Sequence, residues 1–453
     1  MDFRKDRAIG ISASRRLNGR CVTTTAIEQA VTATDEPVSG DYPRRWPILV
    51  LLSIGVLISF VDRTSISAAL TVPAFKAHFQ LSNVDRGWIN SAFFWSYAVM
   101  QIPLGWAVDR YGVKWPYAAC FALWCVASAA TGLTTTLAGL IAVRLIIGAA
   151  EAVVVPASWR WLRNNFTEHQ NGTAVGIYMF GTKIGPAIGA PLAAWLILMS
   201  DWRTMFIVTG IAGLVWLIPW ILFTKSDWRA GAKRTGPMPA AAAIPIGRLL
   251  ANPVVWAAFV VNFCYNYFTF YCMTWMPAYL VEQRGLSLER MGLYAFFSFA
   301  GIAVVALAAG AIADHLIRRG ADPVRVRKSF TIAGFLIAST VVLGASSTSL
   351  SMALFWNVAS LSGLGLATAN NLALCRLTLI PSSSTGIVTG FSQLGTSLAG
   401  IVSPILTGWL LDTSGSYVLP MQTIFVFLII GACTTAFVLR PEWAPRPVEP
   451  APV

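Results

Sequence analysis

Charged residues are scarce in this chain of 453 residues, where they make up 12% of the sequence and hydrophobic residues make up 56%. A soluble domain carries about 25% charged residues, so roughly half of the usual charge is missing. The deficit extends over most of the chain, and the mean hydropathy is +0.64. Both observations indicate that lipid, rather than water, surrounds the folded chain.

The net charge of +13 would suggest a nucleic-acid partner if the protein were soluble. Here the basic residues lie between apolar stretches, so we expect no nucleic-acid partner. The chain has three histidines, far apart and near predicted loops, and seven cysteines with no CxxC pair. We therefore expect no metal site and no cofactor. A membrane-embedded enzyme would need metal ligands or a nucleophile beside a base, and we expect neither.

Residues 1–45 are polar and lack the continuous apolar segment of a secretory signal. We predict a disordered, basic cytoplasmic tail. An organelle transit peptide is the alternative, but the acidic residues of this segment count against it.

From Trp46 onward, twelve apolar runs recur, each long enough to cross a hydrocarbon core of about 30 Å. Runs of this length in lipid must be helices, because backbone groups cannot remain unpaired there. The predicted spans are 47–71, 88–108, 115–134, 136–158, 172–197, 203–224, 253–280, 291–313, 329–347, 351–375, 385–411 and 418–439. The sequence thus predicts an all-α membrane protein of twelve transmembrane helices.

The longest gap between spans divides them into two sets of six. The predicted domains are a first bundle at 46–224, a cytoplasmic linker at 225–252, a second bundle at 253–440 and a cytoplasmic tail at 441–453. Two pseudo-symmetric six-helix bundles are typical of duplicated transporters, whose site lies between the halves. Most of the 33 lysines and arginines fall on one side of this topology. By the positive-inside rule, we predict that both termini are cytoplasmic. We also expect a multi-pass protein of the plasma (inner) membrane that is a monomer.

Five ionisable residues fall inside predicted spans: Asp62, Arg63, Arg144, Glu151 and Lys183. Each costs about 2.5–3.5 kcal/mol at the centre of a helix in lipid, so a cavity or a partner must compensate. Buried ion pairs that only fix helix packing are one interpretation. However, two acids cannot neutralise three bases, and the remaining positive charge favours an anionic ligand.

Helical spacing refines this hypothesis. Arg144 and Glu151 lie two turns apart, about 10.5 Å along one face, so we expect both to line one cavity at different depths. Asp62 and Arg63 are rotated by about 100° from each other, so we expect one to face the substrate and the other the fourth helix. We predict that Asp62 and Glu151 carry protons and that Arg63 binds a substrate carboxylate through its planar fork.

Two of the bases have more than one interpretation. Arg144 is either a second carboxylate ligand or a permanent partner of Glu151. Lys183 is either an anion contact or a side chain that extends to the inner surface. Uncharged polar residues at similar depth suit a hydroxylated substrate, although single residues of this kind also join helices. The candidate binding residues are Asn90, Tyr97, Thr182, Tyr265, Asn266 and Gln393, with Asn370 and Asn371 on the tenth span.

The segment after the second span resembles the loop motif of the major facilitator superfamily: a glycine, an Asp-Arg pair, a second glycine and then basic residues. A weaker copy, from Gly310 to Asp314, follows the eighth span. The resemblance implies a cytoplasmic gate in which Asp109 is in contact with basic neighbours. Its residues are Gly105, Asp109, Arg110, Gly112 and Lys114.

Three further stretches resemble the anion:cation symporter family of that superfamily: FVDRTSISAAL at 60–70, RLIIGAAEAVVVPA at 144–157 and GFSQLGTSLAGIVSP at 390–404. The resemblance implies that Asp62 and Glu151 couple protons and that Arg63 and Arg144 bind the substrate anion. The sequence departs from galactonate-type members at Thr182 and Lys183, and Gln393 and Thr396 stand where that family often has asparagine.

The expected function is proton-coupled symport of small organic anions, by alternating access of the two bundles. The expected substrates are sugar acids such as hexonates, hexuronates or aldarates. The alternatives are transport of aromatic or other carboxylates, organic-anion antiport, a channel, or a transporter-like sensor.

Overall fold

The computed structural model describes residues 44–166, 168–225, 244–381 and 384–445. Twelve long helices, α1 to α12, follow one another along the chain. The first six are α1 Arg45–Ala69, α2 Asn83–Tyr111, α3 Lys114–Thr131, α4 Leu137–Asn165, α5 Glu168–Met199 and α6 Trp202–Phe223. The others are α7 Pro253–Thr274, α8 Leu288–Arg318, α9 Pro323–Ser346, α10 Leu350–Ala373, α11 Thr385–Ser414 and α12 Val418–Phe437. The predicted twelve-helix all-α fold is confirmed.

Two of the twelve helices are less apolar than the others. Ten helices of the described residues are long and apolar enough to cross a membrane by hydropathy alone, and α2 and α3 are not among them. α2 carries charged residues at both ends, and Ser82 and Asp85 form a reciprocal cap at its start. α3 begins with Lys-Trp-Pro-Tyr. The predicted N-terminal tail and most of the linker and C-terminal tail (1–43, 226–243 and 446–453) lie outside the described residues.

The contacts between the two six-helix halves repeat in equivalent positions. α2 packs on α11 and α8 packs on α5, and these pairs exchange when the halves are exchanged. A Cβ at Gly87 on α2 would lie 2.6 Å from the carbonyl oxygen of Pro404 on α11. A Cβ at Gly292 on α8 would lie 2.8 Å from Cα of Pro191 on α5. Glycine at both places allows the same close helix approach, as expected of a duplicated fold.

The two halves meet at one end and separate at the other. We call the end where α1 begins inner and the end where it ends outer. Gly87 and Gly292 lie near the outer ends of α2 and α8. Among the described residues, no atom of another element lies within 4 Å of a Cβ added at Gly176, near the inner end of α5, or at Gly390, near that of α11. The described structure is therefore closed at its outer end.

Candidate functional site

A buried ion pair joins α1 to α4 in the centre of the first half. Arg63 Nε donates to Glu151 Oε2 at 2.9 Å, with the Glu151 side chain fully buried and the Arg63 side chain 10% exposed. The guanidinium carbon lies 4.7 Å from the ring centroids of Phe60 and Phe93 and 5.1 Å from that of Tyr97. Aromatic faces attract a cation at these distances. Arg63 is thus fixed between one carboxylate and three rings.

Asp62 lies on the other side of α1 and faces α3. Ser128 Oγ donates to Asp62 Oδ1 at 3.2 Å, and both residues are buried. Of Asp62 and Arg63, Arg63 is the one that lines a cavity, and which of them faces the substrate stays a prediction. The long arginine side chain both reaches Glu151 on α4 and lines a cavity, whereas the short carboxylate stays between α1 and α3. Asp62 still interacts electrostatically with Glu151, Arg144 and Arg63.

A central cavity of about 170 Å³ lies between the two halves. α1, α2, α4 and α5 line it from the first half, and α7, α8 and α11 from the second. Its size suits a small metabolite, and apolar walls with a few converging polar groups are typical of a ligand site. The predicted binding residues that line it are Arg63, Tyr97, Thr182, Lys183, Asn266 and Gln393.

Arg144 lies outside the central cavity. It lines an adjoining cavity of about 10 Å³ with Asn90 and Arg63, a space about the size of one water molecule. The expectation that Arg144 and Glu151 line one cavity is wrong, because Glu151 lines neither space. Arg63, not Arg144, is the partner of Glu151. Arg144 Nε is buried without a hydrogen-bond partner among the described residues, and its guanidinium lies 5.2 Å from the Phe93 ring. Asn90 donates to the carbonyl of its own helix at Arg86.

A polar network of the second half faces the central cavity. Asn262 donates to Thr396 Oγ1 at 2.7 Å, joining α7 to α11, and Asn266 donates to the Asn262 carbonyl at 2.8 Å. The sequence did not identify Asn262 as a candidate. The available signal was its position four residues before Asn266, on the same face of the helix. The expected contribution of α10 is wrong: Asn370 and Asn371 are buried and line neither cavity. Asn370 donates to the Leu366 carbonyl of its own helix.

Lys183 connects the two halves inside the cavity. Its Nζ donates to the Tyr265 hydroxyl at 3.4 Å, and that hydroxyl lies 2.8 Å from Thr368 Oγ1 on α10. Lys183 therefore does not extend to the inner surface. Tyr265 does not line the cavity itself but lies one hydrogen bond away from it.

The predicted inner gate has a different ion pair from the one expected. Asp109 Oδ1 accepts from Arg160 Nη1 at 2.9 Å, and Arg160 also donates to the Val108 carbonyl at 2.7 Å. Arg160 belongs to α4 and is buried, although the predicted span ended before it. The expectation that Arg110 and Lys114 contact Asp109 is wrong.

The other gate residues shape the end of α2. Lys114 Nζ donates to the Ile221 carbonyl at 2.8 Å, and the Arg110 guanidinium lies 5.6 Å from the Trp106 ring. Gly112 ends α2 with φ of 81°, a value that favours glycine. A Cβ at Gly105 would lie 3.8 Å from the Pro156 side chain, in ordinary contact. Arg110 and Lys114 therefore secure the helix end rather than the ion pair.

An ion cluster that the sequence analysis did not single out joins the halves at the outer end. Glu282, beyond α7, accepts from Lys76 at 2.7 Å, from Arg86 at 3.1 Å and from the Tyr417 hydroxyl at 3.0 Å. Burial acts to raise the pKa of Glu282, but the adjacent Arg86 and Lys76 outweigh burial and hold that pKa below its usual value. The signal in the sequence was the position of Glu282, a carboxylate that comes directly after the apolar run at 253–280.

Within the described ranges, no group of three or more histidine, cysteine, aspartate or glutamate side chains could hold a metal ion.

Comparison of the chain with known proteins identifies its family. The profile of the Major Facilitator Superfamily matches residues 52–378. The D-galactonate transporter of Escherichia coli O6:H1 is 30% identical over 405 residues, which cover 84% of this chain and 93% of that protein. The probable galactarate/D-glucarate transporter of Escherichia coli K12 is 28% identical over 420 residues, which cover 84% of this chain and 91% of that protein.

The fold also matches solved structures. A bacterial homologue of the human lysosomal transporter Spinster, in an inward-facing and occupied conformation, superposes with a TM-score of 0.72 at 18% identity, over 90% of this chain and 100% of that one. This likeness concerns the fold alone. The profile match covers more than half of the chain, and the galactonate transporter matches over most of both lengths. The chain belongs to the Major Facilitator Superfamily and is a multi-pass membrane transporter, not an enzyme.

Proposed function

We propose that the protein is a proton-coupled symporter of small organic anions, with sugar acids as substrates. One observation carries the proposal: Arg63 lines the cavity between the halves while its Nε holds the buried carboxylate of Glu151. A substrate anion and a proton site thus share one cation. The names of the relatives that transport galactonate and galactarate or D-glucarate support the substrate class.

The coupling follows from competition for Arg63. A carboxylate that enters the cavity binds the terminal nitrogens of the guanidinium, which favour bidentate pairing. The attraction between Arg63 and Glu151 then weakens, and Glu151 takes up a proton. Asp62, which interacts electrostatically with both residues, serves as the second proton carrier. Arg144, with its Nε unpaired, supports the anion from the adjoining cavity.

Loading both ligands allows the halves to change orientation. An unpaired buried charge is costly, so the empty site retains the Arg63–Glu151 pair and the loaded site replaces it with an anion and a proton. Each of these states leaves Arg63 paired. The cavity then opens to the opposite side by movement of the halves, with the Asp109–Arg160 pair acting at the inner end. We place the termini in the cytoplasm and the protein, as a monomer, in the inner membrane.

The polar groups suit hydroxylated substrates. Asn266 and Thr396 on the second half, with Thr182 on the first, line the cavity between Arg63 and Lys183. Gln393 lines it too, and its amide has no hydrogen-bond partner among the described residues. These groups bind the hydroxyls of a hexonate, a hexuronate or an aldarate.

Aromatic carboxylates are the second candidate class, because several rings line the cavity. Phe60, Phe94, Trp159, Phe270 and Phe299 contribute to its walls. Aromatic rings stack on a flat ligand, and the four phenylalanine rings offer sugar hydroxyls no hydrogen-bond partner. Antiport remains the alternative direction of coupling.

Uptake by proteoliposomes tests the proposal. We expect labelled galactonate or glucarate to accumulate when the lumen is more alkaline than the medium, and the accumulation to collapse with a protonophore. Arg63→Lys should reduce binding at least 10-fold, because lysine lacks the planar fork, while Lys328→Gln, at the inner end of α9, serves as a control for loss of one cation. Accumulation of phthalate alone would favour the aromatic class, and accumulation driven only by a counter-anion would replace symport with antiport.

A further inference from the structure

The central cavity has a second cation besides Arg63. Lys183 lines it from α5, and among the described residues no carboxylate forms an ion pair with Lys183. Its one hydrogen bond, to the Tyr265 hydroxyl, is 3.4 Å long. N–H···O bonds in proteins usually measure 2.7–3.2 Å. Lys183 is therefore held weakly and can be released to a ligand.

The charges along the cavity wall are unbalanced. Of the two cations there, only Arg63 has a carboxylate partner, and that carboxylate, Glu151, lies outside the cavity. No aspartate or glutamate of the described residues lines the space. A ligand with one negative charge would compensate Arg63 when Glu151 is protonated and would leave Lys183 uncompensated. A ligand with two negative charges compensates both cations.

The register of α5 on α1 gives the spacing of the two cations. A Cβ at Gly181 would lie 2.5 Å from the Ser53 carbonyl oxygen, and one at Gly185 would lie 2.9 Å from the Leu57 carbonyl oxygen. Lys183 therefore lies level with α1 residues between these two contacts, about eight residues before Arg63. At 1.5 Å per residue, that is about 12 Å between backbone levels. Both side chains are long and can point toward each other, so they suit anionic groups at opposite ends of a short chain.

We infer that the substrate is a dianion with a negatively charged group at each end, and that Lys183 selects it by binding the end remote from Arg63. This inference rests on the proposed function for the role of Arg63. The inference restricts the candidate substrates to dicarboxylates. Among the sugar acids these are the aldarates, and among the aromatic acids they are the aromatic dicarboxylates. When the second carboxylate binds, Lys183 exchanges its hydrogen bond to Tyr265 for an ion pair with the ligand. The contact that Lys183 makes between the two halves is then lost.

Matched acids test the inference. Galactarate and galactonate share the arrangement of their hydroxyls and differ only in having a carboxylate or a hydroxymethyl group at C6. Terephthalate and benzoate also differ by one carboxylate, which terephthalate carries at the opposite end of the ring. Apparent affinities come from the dose dependence of thermal stabilisation of the purified full-length protein, since a ligand that binds the folded state raises its stability with concentration.

For the wild-type protein we expect galactarate to bind at least 10-fold more tightly than galactonate. Lys183→Gln should remove this preference, because it should weaken the affinity for galactarate at least 10-fold and the affinity for galactonate less than 3-fold. Lys183→Arg, which keeps the positive charge, should retain at least part of the preference for galactarate. Lys328→Gln should leave both affinities unchanged.

The outcomes separate this inference from the proposed function. Equal affinity for galactarate and galactonate, or an equal loss of both in Lys183→Gln, overturns the dianion inference while sugar-acid binding stands. Binding of terephthalate over benzoate without binding of either sugar acid upholds the dianion inference and overturns the sugar-acid assignment. Failure of all four acids to bind overturns both.

Discussion

Arg86 on α2 and Glu282 beyond α7 lie 3.1 Å apart and connect the two halves at the outer end. Lys76, in the short helix Pro73–Phe79, donates to the same carboxylate at 2.7 Å, and the Arg86 guanidinium lies 4.7 Å from the Trp275 ring. The Arg86 side chain is only 4% exposed. Because a nearly buried cation depends on this carboxylate, the cluster stabilises the closed outer end.

We predict that Glu282→Gln favours opening at the outer end. The neutral amide leaves Arg86 without a counter-charge, so the closed contact loses its main electrostatic attraction. A cysteine introduced at Ser397, in the central cavity, should react about 10-fold faster with a membrane-impermeant thiol reagent applied from outside. Glu289→Gln, an exposed residue in the first turn of α8, provides the control. An unchanged labelling rate in Glu282→Gln would show that the outer end is held by helix packing alone.

The closed outer end should not depend on pH between about 5 and 8. The pKa of Glu282 lies below its usual value, since Arg86 and Lys76 outweigh the effect of burial. A group whose pKa is lowered in the closed state stabilises that state above its ordinary pKa of about 4.3. That contribution is lost only as the pH falls through the lowered value. Because thiol reagents attack the thiolate, the labelling rate at position 397 is divided by the rate of a small free thiol at the same pH. This ratio should stay constant over the range, and a rise in the ratio between pH 7 and pH 5 would contradict the prediction.

Glu151→Gln should separate exchange from accumulation. The glutamine oxygen can still accept from Arg63 Nε, whereas Glu151→Ala would leave Arg63 unpaired at a cost of about 3–5 kcal/mol. We expect accumulation driven by a proton gradient to fall at least 10-fold and counterflow exchange to change less than 3-fold. Ser128→Ala, which removes the donor to Asp62, should reduce accumulation less. Loss of binding in Glu151→Gln would assign the residue a structural role.

The sequence predicted the fold well because the membrane restricts it. Twelve apolar runs must form helices, and their lengths set most of the helix ends to within a few residues, although α4 ends later than predicted. The sequence could also place charges at membrane depth, because Asp62, Arg63, Glu151 and Lys183 stand out among apolar neighbours. It could not predict which charges pair. Pairing depends on helix rotation and side-chain length, so Arg63 reaches Glu151 while Arg144, on the same helix as Glu151, does not.

The sequence also could not predict contacts between segments that are far apart along the chain. Arg160 seemed to belong to a loop, but α4 continues past it and carries it to Asp109. Glu282 and Arg86 lie almost two hundred residues apart, and only the packing of α2 against the second half brings them together. Such pairs become visible only when helix ends and neighbours are known.

The inner gate should respond unequally to its two charged residues. Asp109 is largely exposed, whereas Arg160 is buried and also donates to the Val108 carbonyl. The Val108 carbonyl also accepts from the Gly112 N–H at 3.0 Å, so Arg160→Ala removes one of its two donors. A hydrogen bond from a charged group is worth about 1.5–3 kcal/mol, so we expect a lower melting temperature and a severe loss of transport. Asp109→Asn should keep the melting temperature within about 1 °C and change only the transport rate. Equal destabilisation by both substitutions would argue against this asymmetry.

The charge carried per cycle should depend on the substrate. If Asp62 and Glu151 each take up one proton, a dianion enters with no net charge, whereas a monoanion enters with one positive charge. Moving one charge across 100 mV is worth about 2.3 kcal/mol, which corresponds to about 50-fold in accumulation. Imposing an inside-negative potassium diffusion potential should therefore leave uptake of galactarate unchanged and increase uptake of galactonate. In Asp62→Asn, where one proton site is lost, the same potential should oppose uptake of galactarate. A potential that opposes uptake of galactarate and leaves uptake of galactonate unchanged in the wild type would mean that only one of the two carboxylates carries a proton, and a potential that opposes uptake of both acids would mean that neither does.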